Sequence, residues 1–299
     1  MNSTKLIWLN GNFIPWEDAK VHILTHALHY GTSVFEGVRC YNTERGPAIF
    51  RLREHMTRLI YSANSIKLTI PYSTEELSQA ACDLIRKNEV KEAYIRPIAY
   101  YGSGKMGLNP RGATRDVSMI CWPWGAYLPH DQVDLKVSKY IRIDPRSSIA
   151  DAKIAGNYIN SILASQEVEG TKYHEALFLD FQGNIAEGPG ENFFIIKKNT
   201  LYTPSLGTIL PGITRDSVIQ IAKHLGYSIV EKQLKLDEAF EAEEAFFTGT
   251  AAEVVPIRSI DDRAIGTGTV GPITKQIKDY YLKTVHGDTP EFHRFLTWV

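Results

Sequence analysis

The chain has 299 residues, 43% of them hydrophobic and 22% charged, a balance that excludes collagen-like, low-complexity and wholly disordered proteins and suits two globular domains. Lys+Arg 33 against Asp+Glu 34 leaves a net charge of −1, so nucleic acid and anionic membrane lose their electrostatic argument and a small-molecule partner is favoured. The three cysteines, Cys40, Cys82 and Cys121, are far apart and form neither a disulfide framework nor a CxxC site; with no signal-like N-terminus and no apolar run of about 18 residues, a cytoplasmic protein is expected.

Leu6 to Leu9 and Phe13 to Ile14 flank Asn10-Gly11, which favours a type I′ turn and predicts an opening hairpin. Strands are expected over Val34 to Tyr41 and Ala48 to Leu52, then a helix over Glu54 to Ile66. Ser73 with Glu76 forms a capping-box signature ahead of Leu77, Ala80, Ala81, Leu84 and Ile85, the apolar stripe of a second helix. Ala93 to Tyr101 and Val117 to Trp122 return to strand. Two prolines and a glycine without period from Trp122 to Asp131 read as a linker, giving a smaller domain over 1–124, a linker over 125–134 and a larger domain over 135–299.

Beyond the linker, strands are expected over Leu135 to Tyr140, Glu175 to Asp180, Phe193 to Lys197 and Ala245 to Phe247. Helices are expected over Asn157 to Val168, Thr214 to Leu225 and Ile273 to Thr284. The mixture has no regular βαβ beat and no repeat, so the fold class is α+β with mixed sheets and flanking helices.

Several motifs fail on inspection. Gly266 to Gly271 matches GxGxxG, but the 28 residues that follow accommodate one helix and no further parallel strand. Gly102 to Gly107 departs from the P-loop at Ala99 and Met106. His22, His26 and His29 are spaced for one helix face, yet the glycine and strand that follow make hydrogen-bonded histidines the better reading than metal ligands; no metal is assigned.

Lys153 stands alone among small and apolar residues in Ser148 to Tyr158, where desolvation would favour the neutral amine that a Schiff base needs; as an isolated lysine it is weak evidence. Ala186 to Phe193 places Glu187 at a strand end beside glycines, able to pair with a protonated ring nitrogen or to be a solvated loop glutamate. Leu210 to Asp216 leads straight into a helix, so the amides of Ile213 and Thr214 point out of its N-terminus where a phosphate is favoured; capping by Thr214 is the plain alternative. Phe247 to Ala252 ends a strand with small residues whose amides and hydroxyls suit an anion or form a tight turn.

Together with His26 to Arg39, Tyr94-Ile-Arg-Pro97, Gly104 to Pro110, Ala152 to Tyr158, Glu187 to Asn192, Leu210 to Arg215 and Gly249 to Glu253, these segments resemble the branched-chain amino acid aminotransferases of the fold-type IV pyridoxal-phosphate enzymes. The resemblance runs in family order from about Trp8 to Lys283. It implies a pyridoxal 5′-phosphate cofactor carried by Lys153, which also acts as general base and acid. It implies that Glu187 keeps the ring nitrogen protonated, that Tyr158 hydrogen-bonds the ring's 3-hydroxyl, and that Arg58, Ile213, Thr214 and Thr250 surround the phosphate. The amides of Thr250 and Ala251, with Arg39 and Tyr94, would take the substrate carboxylate. Phe35, Gly37, Tyr30, Tyr94 and Tyr127 would line the pocket for leucine, isoleucine or valine, and Arg96 would pair with the glutamate γ-carboxylate.

The implied reaction is transamination between those amino acids and 2-oxoglutarate, the cofactor being trapped by two domains. The nearest rivals on the same fold are a D-amino acid aminotransferase and an aminodeoxychorismate lyase. Family members place lining residues such as Tyr30 in the partner's pocket, so a homodimer or larger homo-oligomer is implied. Residues 130–146 and 288–299 carry no motif.

Overall fold

The computed structural model describes residues 4–123 and 130–299; Tyr127 and most of the expected linker lie outside them. The chain forms two compact units, Met1–Gly125 with Ala152–Gly156 and Thr284–Val299, and Ala126–Asp151 with Asn157–Lys283. This differs from a larger domain running unbroken over 135–299: the lysine segment and the C-terminal tail pack with the first unit. The reasons are bonds remote in sequence. The C-terminal strand Leu296–Trp298 pairs antiparallel with residues 48–50, and Ile154 bridges to Val34.

In the first unit the strands are β1 (Leu6–Leu9), β2 (Asn12–Pro15), β3 (Ser33–Phe35), β4 (Val38–Thr43), β5 (Gly46–Phe50), β6 (Ala93–Tyr101) and β7 (Arg115–Trp122). With the C-terminal strand they make one sheet in the order C-terminal strand, β5, β4, β6, β7, β1, β2, with β3 also on β6. The hairpin turns at Asn10 and Gly11, both at positive φ, as its sequence predicts. The expected strand over 34–41 is divided at residues 36 and 37, but its register on β6 continues unbroken: Phe35 faces Ile98, Val38 faces Ile95 and Arg39 faces Tyr94.

Because side chains alternate along a strand, that register sorts the residues into two faces. Val34, Val38, Cys40, Ala93, Ile95 and Ala99 turn to a core built with α2 (Leu52–Ser65) and α3 (Thr74–Asn88), which follow the short α1 (His26–Tyr30). α2 contributes Leu52, Met56, Leu59 and Ala63 at helical spacing, and α3 begins with both capping-box bonds, Glu76 N–H to Ser73 and Ser73 N–H to Glu76. Phe35, Gly37, Arg39, Tyr94 and Arg96 share the opposite face.

The second unit holds β8 (Val133–Val137), β9 (Glu175–Leu177), β10 (Asn192–Lys197), β11 (Thr200–Thr203), β12 (Ser228–Glu231), β13 (Glu244–Gly249), β14 (Glu253–Ile260) and β15 (Arg263–Ala264). Its sheet runs β12, β11, β10, β13, β14, β8, β9, with β15 on β14, and mixes parallel and antiparallel pairs. The central strands β10 and β13 are buried on both faces, which explains their continuous apolar reading; Phe194 stacks on Phe246 at 4.9 Å. The helices are α4 (Tyr158–Val168), α5 (Ile213–His224), α6 (Leu236–Phe240) and α7 (Pro272–His286).

The glycines at 266 and 268 sit at positive φ in a turn, and α7 starts at Pro272, its first amides capped by Glu244: Ile273 and Thr274 N–H donate to the carboxylate. A side chain on Gly271 would meet Glu244 at 2.0 Å, so that glycine serves the cap and the GxGxxG pattern is structural. No helix among the described residues is long and apolar enough to cross a membrane.

Candidate active site

The expected site residues fall into two groups, one in each unit. In the first unit the backbone of Lys153 is held from both sides: its N–H donates to the Ser62 hydroxyl at 2.9 Å and its carbonyl accepts from Phe35 N–H at 3.1 Å. Its ammonium lies 4.9 Å from the centre of the Phe35 ring, and the Arg96 guanidinium lies 4.9 Å from the same ring. Close passage of two chains, Gly156 N–H donating to the Gly31 carbonyl at 3.2 Å, seats the segment; a Cβ on Gly31 would stand 2.9 Å from the Gly156 Cα.

Tyr94 completes this wall. Its hydroxyl accepts from Arg96 at 3.5 Å, and it occupies the space a Gly37 side chain would need, the hydroxyl being 1.8 Å from that Cβ position. Arg39, opposite Tyr94 in register, is 7% exposed and directs its guanidinium to Glu92 at 3.4 Å and to the face of Tyr41. Tyr30 ends α1 with 41% of its surface exposed, its ring 4.6 Å from that of His26.

His26 is buried between the Thr32 hydroxyl and the Gly107 carbonyl, both at 2.7 Å, while His22 and His29 bond the local backbone.

Arg58, expected near the phosphate, is bound on one edge by a residue to which the sequence reading gave no role. Glu36 points from the strand joint to the helix face of the sheet and is completely buried. It accepts Arg58 Nε at 2.6 Å, Arg58 Nη2 at 2.8 Å and His55 Nδ1 at 2.7 Å. Burial would raise the Glu36 carboxyl, but the Arg58 guanidinium, aided by His55, holds it far below the usual carboxylate range. Burial pushes His55 down despite the pull of Glu36. The signal was faint: His55, Arg58 and Ser62 recur at helical spacing on the polar side of α2.

In the second unit Glu187 is 5% exposed and gathers donors on both oxygens. Oε1 accepts Arg142 Nε at 2.5 Å, Oε2 accepts Asn192 Nδ2 at 2.9 Å, and the Leu210 N–H lies within 3.2 Å of each. Arg142 is anchored in turn by the Ala150 carbonyl at 3.2 Å. Arg142 and Asn192 were not singled out by sequence, because 45 residues separate Arg142 from its carboxylate.

The neighbouring elements follow from the same packing. Ile213 and Thr214 are the first two residues of α5, so their amides have no carbonyl within the helix to bond, and both are buried. A Cβ on Gly212 would lie 1.8 Å from the Asn192 side chain, so the glycine lets the helix start beside the group that holds Glu187. Thr248, opposite Asn192 in the sheet, has a buried hydroxyl with no partner among the described residues. Thr250 and Ala251 form the turn joining β13 to β14. Tyr158 opens α4.

Each unit by itself holds groups that suit a phosphorylated, ring-bearing cofactor: a lysine amine and an arginine in the first, first-turn helix amides and a carboxylate with several donors in the second. A buried hydroxyl awaiting a partner agrees with this.

A model for "Amino-transferase class IV" matches residues 33–260. The branched-chain-amino-acid aminotransferase of Salmonella typhimurium is 45% identical over 291 residues, covering 95% of this chain and 94% of that protein. The crystal structure of the T.th. branched-chain amino acid aminotransferase complexed with N-(5′-phosphopyridoxyl)-L-glutamate superposes with a TM-score of 0.96 at 45% identity, covering 99% of this chain and 98% of that one. Its complex with 4-methylvaleric acid gives 0.95 at 44% identity, with the same coverage. Matched over most of its length by the family model and by a relative far above chance identity, the chain belongs to the class IV aminotransferases.

Proposed function

We infer that this protein is a pyridoxal-phosphate-dependent branched-chain amino acid aminotransferase, moving the amino group between leucine, isoleucine or valine and 2-oxoglutarate. The observation that carries the reading is the double clamp on the Lys153 backbone, which fixes one amine beside the aromatic wall of Phe35. Among relatives, the T.th. enzyme is bound to a phosphopyridoxyl group joined to glutamate and, separately, to 4-methylvaleric acid, which has the carbon skeleton of leucine.

When bound, pyridoxal phosphate supplies an electron-withdrawing ring that stabilises negative charge at the substrate Cα. Lys153 anchors it and then moves the proton to and from Cα through its ε-amine. Glu187 accepts a hydrogen bond from the ring nitrogen and keeps its proton in place; Arg142, Asn192 and the Leu210 amide hold that carboxylate anionic. Tyr158 bonds the ring's 3-hydroxyl. Arg58, Thr250 and the amides of Ile213 and Thr214 receive the phosphate.

The amides of Thr250 and Ala251, with Arg39 and Tyr94, orient the substrate carboxylate. Phe35, Gly37, Tyr30 and Tyr94 enclose the aliphatic side chain and exclude water. Arg96 pairs with the γ-carboxylate of glutamate, its Nε being buried without a partner in the described structure.

The protein acts as a homodimer or larger homo-oligomer in the cytoplasm. Exposed apolar residues cluster at Ile23, Leu24 and Leu28 next to Tyr30, a surface that a second copy would cover. The three cysteines are free and buried, as suits a reducing compartment.

Replacing Lys153 with alanine tests the reading. Transfer from L-leucine to 2-oxoglutarate should fall by about a thousandfold or more, as expected for loss of the proton-moving group, and D-alanine should be a poor donor for the unaltered protein. Undiminished transfer by Lys153→Ala, or a preference for D-alanine, refutes it.

A further inference from the structure

One face of α2 carries three polar groups: His55 and Arg58, which bond Glu36 at the strand joint, and Ser62, which bonds the Lys153 backbone. Strand alternation sets Phe35 and Gly37 on the wall of the site and Glu36, between them, on the helix side. Its carboxylate is thereby the tie from α2 to the stretch of chain that forms the wall. Two of its bonds are the parallel pair from Nε and Nη2 of Arg58, a fork that admits one plane and one rotamer of the guanidinium. The third, from His55, fixes the carboxylate itself.

Stability alone does not call for this arrangement, because a buried ion pair is commonly matched or bettered by apolar side chains of similar volume. What apolar residues would not do is set the direction of Arg58. One turn further along the same helix, Ser62 accepts the Lys153 amide, so any shift of α2 reaches the lysine backbone as well.

We propose that Glu36, assisted by His55, is a positioning residue: it orients Arg58 for the cofactor's phosphate and fixes the helix that holds the Lys153 backbone. The inference rests on the reading that the protein binds pyridoxal phosphate. It opposes a simpler role for Glu36, that of neutralising Arg58, and the two roles differ in sign. Removing a neutralising carboxylate strengthens phosphate binding; removing an orienting one weakens it.

The measurement is the dissociation constant of the full chain, depleted of cofactor, for pyridoxal phosphate and for pyridoxal, followed by visible absorbance. The ratio of the two isolates the phosphate contribution. In Glu36→Gln the preference for the phosphorylated form should fall about tenfold or more, the scale of a charge-assisted hydrogen bond. Arg58→Ala should show a loss at least as large, and the double variant no further loss. His55→Asn, which keeps an N–H near the Nδ1 position, should retain more of the preference than His55→Leu; this pair decides the matter if Glu36→Gln does not fold.

A ratio unmoved or increased in Glu36→Gln, additive losses in the double variant, or equal behaviour of the two His55 variants overturns the inference. An unaltered chain that takes up no pyridoxal phosphate refutes instead the proposed function.

Discussion

Each unit of this protein buries a glutamate against an arginine, and the two are wired differently. Glu36 is completely buried and spends its acceptors on Arg58 and His55, two side chains of one helix. Glu187 collects Arg142, Asn192 and a backbone amide from three separate stretches of chain, and Arg142 is tied back to a carbonyl. The first arrangement fixes the direction of a cation. The second orients the carboxylate, since Arg142, Asn192 and the Leu210 amide donate to it from separate stretches of chain. On the proposed function the same ion pair serves opposite partners: in one unit the arginine is the working group, in the other the glutamate.

The sharpest way to break this contrast is at Glu187. Glu187→Gln leaves the shape but removes the charge proposed to hold a proton on the ring nitrogen, so turnover with leucine should fall by about a hundredfold to a thousandfold, the range seen when one preorganised electrostatic partner is lost. Arg142→Met keeps Asn192 and the Leu210 amide, so its effect on turnover should be smaller, about tenfold, while its cost in stability should be larger because a buried carboxylate loses its counter-charge. Steady-state rates with urea unfolding of both variants check this ordering. Equal turnover in Glu187→Gln and the unaltered protein would show that Glu187 is structural.

Next in size is Gly37. Its φ lies outside the left-handed region, so alanine meets no backbone penalty there; the obstacle is the Tyr94 hydroxyl, 1.8 Å from the new Cβ, with the ring carbon behind it at 2.7 Å. Tyr94 is buried with its ring 5.3 Å from that of Trp122, which limits where it can move. Gly37→Ala should cost about 1–3 kcal/mol in overpacking and lower kcat/KM for leucine about tenfold. Adding Tyr94→Phe removes the worst contact and should recover part of the stability, a coupling read from a double-mutant cycle.

What sequence disclosed and what it hid follow the same division. Lys153, Glu187 and the start of α5 stood out as candidates because short motifs carry them, each with a plain structural alternative beside it: a lysine among small residues, glycines around a carboxylate, Pro-Gly ahead of a helix. Glu36, His55 and Arg142 were not, since their partners lie 19, 22 and 45 residues away and nothing local marks a charged side chain as buried. On α2 apolar residues at helical spacing identified the helix from Glu54 onward, although it begins at Leu52, which the sequence placed in the preceding strand, and no role was assigned to the polar residues beside the stripe. The C-terminal strand escaped for a related reason, being three residues long and paired with β5 at the far end of the chain. The lysine segment groups with the first unit, where bonds to Ser62, Phe35 and Gly31 hold it, and none of these partners is near it in sequence.

The last test sets two buried sites, one in each unit, against each other by the sign of their pH dependence. In the first, Glu36 and His55 are both held below their ordinary values, so the unfolded chain binds more protons than the folded one once the pH falls below about 6.5 for the imidazole and 4.5 for the carboxyl. Their contribution to stability is complete above those values and lost toward acid. In the second unit Glu175 behaves oppositely. It is 4% exposed, its recorded partner is the adjacent Ala176 N–H, and burial pushes it up to about 7. The folded chain then holds the extra proton, so this stabilisation is present below the ordinary carboxylate value and lost as pH rises from 4.5 through 7. Glu175→Gln keeps an acceptor for the Ala176 amide and cannot ionise. It should therefore raise the thermal midpoint at pH 8 by a few degrees, from a gain of about 2–3 kcal/mol, and leave it nearly unchanged at pH 4.5. Calorimetry at the two pH values decides it: equal gains at both would mean that the glutamine packs better and that ionisation of Glu175 contributes nothing.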